Sequence, residues 1–439
     1  MSKKRSNTRK SARLAAVTRV TLCLAAAPAF AQDAGRPFTG RVAADPNPYY
    51  LGVSQGFTHD TNVYRIPSGP GDNYSSTSLF GGFDQPISRQ RVFGRAGVSL
   101  NRYQDETKLN NTSYDLSAGA ALETIERLSG NVNVGLSRNL AAPAATFSVP
   151  TAVRNVATTE RVDSRLRWGG ASLLTLEGTA GYSKIDYSAP EFVSSETRRT
   201  NGSLGLYYRP GEFLRVGVAG RVTRTRTRSA LLDPVTGTYE PNTVNGRNLD
   251  LLADYVFSSA LSTNARLSYT RQTNSNIAGA DFSGLTGSLS VRWQPTAKTA
   301  FKLDASRDAG FENTSTTRYA AVQTGTGLVL TPVSAFDQNN RVTNAVALRA
   351  TYEATAKIGA TADLHYSRAR LVSAFTTTAG APSEFVDVSK GAALGVTYAI
   401  TRAWGASCTL AHEMRDVTGR ITYSYKANTV GCATQFVWR

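Results

Sequence analysis

The chain is poor in the residues from which most active sites are built. Its 439 residues hold three histidines, His59, His365 and His412, and three cysteines. No His-x-x-x-His or Cys-x-x-Cys spacing occurs, so a transition-metal site is not expected. Glycines are scattered through strands and turns without a phosphate-loop pattern. Asp363 and His365 fall on one strand face, as a base and its orienter would, but no hydroxyl is singled out to complete a triad. A histidine beside an acid on such a face reads as a wall residue. Neither an enzyme nor a cofactor is therefore expected. Long apolar runs are missing too. After the N-terminal region nothing approaches the ~18 continuous apolar residues of a spanning helix, and helical periodicity is almost absent. Any membrane crossing must be made by strands.

What is present begins with a secretory pattern. Lys3, Lys4, Arg5, Arg9, Lys10, Arg13 and Arg19 form a basic region with no acid. Val20 to Ala27 is a short apolar run, and Ala29-Phe30-Ala31 is a small-x-small cleavage site. Residues 1–31 read as a signal peptide, with the mature chain starting near Gln32. Bulky Leu22 before Cys23 argues against a lipoprotein. Removing the seven cations takes the formal net charge from +17 to +10. A basic balance often means nucleic acid, but export and the absence of arginine runs argue against that partner. Residues 32–47, with Pro37 and Pro46, read as a periplasmic lead-in, and 48–439 as one domain.

From Val430 to Trp438, alternate residues are apolar or small and the row ends in aromatics (Val430, Cys432, Thr434, Phe436, Trp438). A period of two places them on one face of a strand. Segments of the same kind fill the chain, at 49–59, 76–84, 89–103, 109–121, 128–138, 158–168, 172–186, 195–208, 212–227, 245–257, 261–273, 282–293, 298–311, 340–353, 357–370, 387–400, 404–415 and 421–438. The connections alternate. Short ones, such as Gln85 to Ser88, Arg209-Pro210-Gly211 and Gln294 to Ala297, are followed by long polar stretches at 60–75, 139–157, 187–194, 228–244, 312–339 and 371–386. Trp168, Tyr208, Phe257, Trp293, Tyr352, Tyr398 and Trp438 end alternate strands on the short-turn side, as an aromatic girdle at a lipid–water boundary would. A propeller would need four short strands in each repeat of this length, where this chain has two long ones. The expected fold is an all-β transmembrane antiparallel up-and-down barrel of about 18 strands, or 16, with short periplasmic turns and both termini in the periplasm. Its place would be the outer membrane of a Gram-negative bacterium, its partners membrane lipid and the barrel-assembly machinery.

Alternation also sorts the charges. With Val162, Leu166 and Trp168 outward, Arg161, Asp163, Arg165 and Arg167 turn inward. The same test turns in Arg215, Arg221, Arg266, Arg292, Lys302, Asp304, Arg349, Asp363 and His365. A cation facing lipid at mid-depth costs ~2–4 kcal/mol, which enforces the sorting. Arg165, Arg167, Arg215, Arg221, Arg266, Lys302 and Arg349 therefore form either charge ladders that hold the wall or a basic path that favours anions. The last two strands, folded about residue 420, set Cys408 opposite Cys432. Export permits a disulfide there; the alternative is two small residues that merely fit the wall.

Asp60-Thr61-Asn62-Val63-Tyr64-Arg65, Ser88-Arg89-Gln90-Arg91, Asn101-Arg102-Tyr103 and Ala427-Asn428-Thr429-Val430-Gly431-Cys432 resemble stretches of the EpsL-type outer-membrane β-barrel proteins of exopolysaccharide-biosynthesis operons. Arg439 departs from the usual terminal aromatic. The resemblance implies a role in making, exporting or surface-handling a polysaccharide, with the polymer's conduit as one form of that role. Two other roles fit the same residues: a diffusion porin for small anions, or a surface glycan-binding barrel with a blocked lumen.

Overall fold

Each of the alternating stretches becomes a strand, because one face of each is apolar and the other polar. The computed structural model describes residues 47–439 except 125–126, 142–152, 170–171, 233–238, 276–280, 325–326, 377–381 and 419–422. The side chains of 191, 194, 229–232, 239–240, 311–324, 327–340, 371–376 and 382–385 are likewise outside the description. The expected signal peptide and most of the expected lead-in lie outside the described residues. The strands are β1 (Tyr49–Asp60), β2 (Asp72–Ile87), β3 (Gln90–Tyr103), β4 (Asn111–Glu123), β5 (Leu128–Leu140), β6 (Val156–Trp168), β7 (Leu174–Tyr187), β8 (Thr197–Tyr208) and β9 (Leu214–Leu232). They continue as β10 (Tyr239–Val256), β11 (Leu261–Asn274), β12 (Phe282–Trp293), β13 (Thr299–Thr324), β14 (Gly327–Glu353), β15 (Ile358–Thr376), β16 (Pro382–Ala399), β17 (Trp404–Thr418) and β18 (Tyr425–Trp438). Two 3₁₀ turns, Thr107–Leu109 and Pro190–Ser195, sit in connections. Among the described residues no helix is long and apolar enough to cross a membrane.

Every strand pairs antiparallel with its neighbour in sequence, and β1 closes on β18 from Leu51 opposite Trp438 to Asp60 opposite Thr429. The count is 18, so 16 is excluded. Closure leaves no edge along the wall, the condition for a sheet in lipid. Leu51, Val53 and Phe57 on β1, Leu204 and Leu206 on β8, Val218 and Val222 on β9, and Leu394 and Val396 on β16 are all exposed on the outer face. So much apolar surface on one face would be unstable in water. The wall is that of a transmembrane barrel.

The sequence reading ends several strands too early. Residues 312–339, read as a long loop, continue the β13–β14 ladder from Glu312 opposite Asn339 to Thr324 opposite Gly327. β12 accompanies β13 only from Phe301 to Arg307, and β15 reaches β14 only as far as Asn339. The ribbon beyond is therefore two-stranded. β9 and β10 likewise take up much of 228–244, and β15 and β16 much of 371–386. Past the apolar band no lipid imposes a period of two, so the sequence of this ribbon looks like a loop.

Candidate functional site

The inward row of each strand builds the lumen wall. Glu177 on β7 is inward because Leu174 and Leu176 face out. Its carboxylate meets Arg167 (Nε–Oε2 2.6 Å), Arg165 (Nε–Oε1 3.5 Å) and Arg215 (Nη2–Oε2 3.0 Å), although its side chain is only 8% exposed. Arg215 reaches on to Asp254 at 3.4 Å and lies 3.7 Å from the centroid of the Tyr207 ring. That ring covers Gly217, where an added Cβ would collide with it, so β9 needs a glycine here. Arg221 pairs with Asp250 through two hydrogen bonds of 2.9 and 3.2 Å. Arg266 meets Asp308 at 3.3 Å, Lys302 meets Asp304 at 2.8 Å, and Arg349 meets Asp363 at 2.5 Å. Arg161 pairs with Asp163.

All seven cations of the expected basic path therefore face inward, and each has a carboxylate of its own wall. Sequence reasoning named Asp163, Asp304 and Asp363 as ladder acids but missed Glu177, Asp250, Asp254 and Asp308. Alternation alone would have turned Glu177 inward; which arginines it serves follows only from the barrel's register. The inward cations without an ion pair among the described residues are others. Arg95 on β3, Arg199 on β8 and Arg292 on β12 are three of them, and the Nε atoms of Arg95 and Arg199 are buried without a hydrogen-bond partner. On the acidic side Asp115, diagonal to Arg95 across β3–β4, is inward and unpaired in the same sense.

The interior is ionic. No protein-family model matches this sequence, and no curated protein does. Among solved structures, the chain is similar to the outer-membrane protein OpdK of Pseudomonas aeruginosa, at 11% identity and a TM-score of 0.44 over 89% of this chain and 99% of that one. It is also similar to the outer-membrane channel DcaP of Acinetobacter baumannii, at 12% identity and a TM-score of 0.42 over 89% and 96%. The siderophore receptor PirA of the same organism matches at 7% and 0.42 over 89% and 81%.

At the end of the lumen away from the short turns, residues 61–71 form a strap rather than an open loop. Arg65 adopts φ 51°, a backbone region that non-glycine residues rarely occupy. Its guanidinium pairs with Asp60 (2.8 Å) and Glu413 (3.2 Å), both buried, and Tyr425 donates its phenol proton to Glu413. Burial alone would depress the Arg65 guanidinium, but the two carboxylates raise it above its ordinary value. Asn62 donates to the carbonyls of Ile66 (2.7 Å) and Lys426 (3.0 Å), and the Thr61 amide donates to Asn428 (2.9 Å). Val63 and Tyr64 pack on Leu109 against Tyr103. The stretches 60–65, 101–103 and 427–432 thus meet at this strap.

Two other sequence readings find places in the wall. The seven aromatics Trp168, Tyr208, Phe257, Trp293, Tyr352, Tyr398 and Trp438 are exposed beside the short turns. β17 and β18 set Cys408 opposite Cys432 with the Cα atoms 4.1 Å apart and the sulfurs bonded, and Trp404 opposite Phe436. Both cysteines share the outward row of Leu410 and Val430. Mass spectrometry of protein prepared without reductant should recover one peptide linked through Cys408 and Cys432; two free thiols would refute the link. The histidines are less separated than their numbers suggest, since β1 and β17 both pair with β18 and carry His59 and His412. Among the described residues no group of three ligating side chains could hold a metal.

Proposed function

We propose that this chain is an outer-membrane channel of a Gram-negative bacterium, exported by cleavage after Ala31, with a lumen that favours anionic solutes. The closed wall, the apolar outer face and the ring of aromatics beside the short turns support the membrane placement. The observation that carries the selectivity is that Arg95, Arg199 and Arg292 turn inward without an ion pair among the described residues, in addition to the seven paired cations named above. Within that reading, the EpsL-type resemblance supports an acidic exopolysaccharide as the solute, and small anions are the alternative cargo. The strap favours a second reading, a glycan-binding barrel whose lumen is blocked.

Planar-bilayer recordings test this. The channel should prefer anions, the preference should fade as salt rises from ~0.1 M to ~1 M and the screening length falls to ~3 Å, and Arg199→Gln with Arg292→Gln should remove most of it. Cation preference would overturn the proposal, and a silent barrel would favour the second reading. Deletion of the gene should abolish polymer secretion if the cargo is polysaccharide and leave it intact if the cargo is small anions. N-terminal sequencing of the membrane-isolated protein should begin at Gln32.

A further inference from the structure

The lumen does not account for six arginines on the outer wall. Arg198 on β8, Arg224, Arg226 and Arg228 on β9, Arg247 on β10 and Arg271 on β11 are exposed and share the outward rows of Leu204, Val222, Leu249 and Tyr269. They lie in the halves of these strands away from the short turns, Arg247 opposite Val222. On β9 the outward row runs Leu214, Val216, Val218, Gly220, Val222 and then arginine. At about 3.3 Å per residue and a tilt of ~40°, Val222 is ~20 Å along the barrel axis from Leu214. Arg224 thus stands at the far border of an apolar band ~25 Å tall, where an outward cation costs ~0–1 kcal/mol rather than the ~2–4 kcal/mol of mid-depth.

Tolerance of position does not explain the crowding. The register sets Arg198 directly opposite Arg226, and Arg247 directly opposite Arg271. Like charges facing across a strand pair destabilise it. None of the six has an ion pair among the described residues, β8, β9 and β11 contain no acid, and of the acids of β10 Asp250 and Asp254 turn inward while the side chain of Glu240 is outside the description. Next door on β7, Lys184 is neutralised by Asp186 and lies 3.8 Å from Glu160. A cavity of about 570 Å³ opens among Arg224, Arg247 and Arg271, with Asn245 and Thr273 as further donors and Gly202 leaving space.

We propose that this face of β8–β11 holds the phosphate-bearing headgroup of a lipid in the outer leaflet. Guanidinium forks match phosphate oxygens two at a time, and a phosphate between facing arginines turns their repulsion into shared attraction. The inference rests on the membrane placement and orientation proposed above, but not on an open lumen.

The test uses the full barrel in detergent, with native mass spectrometry reading bound lipid and gel mobility reading folding. The probes are a bisphosphorylated glycolipid, its dephosphorylated counterpart and inorganic phosphate. The wild type should retain the bisphosphorylated lipid, with the dephosphorylated form held about tenfold more weakly. Arg224→Gln, Arg247→Gln and Arg271→Gln together should lose retention to the same degree, while Arg102→Gln with Arg138→Gln, outward arginines elsewhere on this rim, should not. Arg247→Gln alone should fold at least as well as wild type without lipid, because it removes one facing pair, yet bind lipid less; this keeps the test decisive if the triple variant fails to fold. Equal binding of both lipids, or equal binding by the variant, would overturn the proposal. Displacement of the glycolipid by millimolar phosphate would also overturn it, making the patch a soluble-anion site. A silent bilayer recording with lipid binding intact would remove the channel reading and leave this one standing.

Discussion

Glu177→Gln is expected to weaken the barrel and sharpen its anion preference in the same molecule. One carboxylate holds Arg165, Arg167 and Arg215 within 3.5, 2.6 and 3.0 Å. The amide keeps the shape and removes the charge, leaving three guanidinium groups facing one another with Asp254 alone beside them. Breaking a buried pair from one side costs ~3–5 kcal/mol. The arginines keep some contact with lumen water, so about 3 kcal/mol, the low end, is expected. Urea unfolding in lipid should show the loss, and reversal potentials should move toward anions as the freed charges enter the lumen. Arg215→Gln added to Glu177→Gln should return part of the stability, since it removes one of the opposed cations. Unchanged stability with unchanged selectivity would mean that these contacts contribute nothing in the membrane.

Arg65→Ala should release the strap and enlarge the conductance. The substitution strips Asp60 and Glu413 of their shared cation, and buried carboxylates left this way cost about 3 kcal/mol. The cost is local, so the readouts are protease cleavage within 61–71 and single-channel conductance rather than global unfolding alone. The backbone supplies a control. Arg65→Gly loses the same ion pairs but accepts φ 51° freely, so it should be milder than Arg65→Ala by about 1 kcal/mol. Arg65→Lys keeps a charge without the fork and should fall between wild type and Ala. A strap that resists protease in all three variants would show that Asn62 and the Val63–Tyr64–Leu109 packing suffice to hold it.

The barrel was legible because lipid imposes a strict rule: one apolar face, alternating for the depth of the band. Wherever that rule acts, strand spans, the even count and the inward set around Arg165, Arg221 and Lys302 could be read residue by residue. Where it stops, the reading failed in three ways. The ladder through 312–339 was read as loop because, past the lipid band, nothing imposes a period of two on it. The arginines of β9 beyond Val222 lost their meaning because past the band either face may carry charge. The partners of the lumen cations could not be assigned, since Glu177 serves Arg215 across an intervening strand and only the closed register brings them together. Arg65 was visible as part of a motif, but its bond to Glu413 joins residues 348 apart in the chain, which no local pattern encodes.

The β13–β14 ribbon has a consequence of a different sort, for association between molecules. Beyond Arg307 on one strand and before Asn339 on the other, each strand pairs only with its partner. The barrel that abolishes edges in the wall thus creates two above it. Rows of amide and carbonyl groups without a strand partner, interrupted on β13 where Gln272 donates to the Ala309 carbonyl (3.1 Å), are templates on which another chain can add a strand. Pro332, opposite Tyr319, is one such interruption: with no N–H to offer, it breaks the donor row of β14 midway along the ribbon. β13 has no proline in Asp308–Thr324. Beyond Ala309 its outer edge is the continuous one, and strand addition from a neighbouring barrel would begin there.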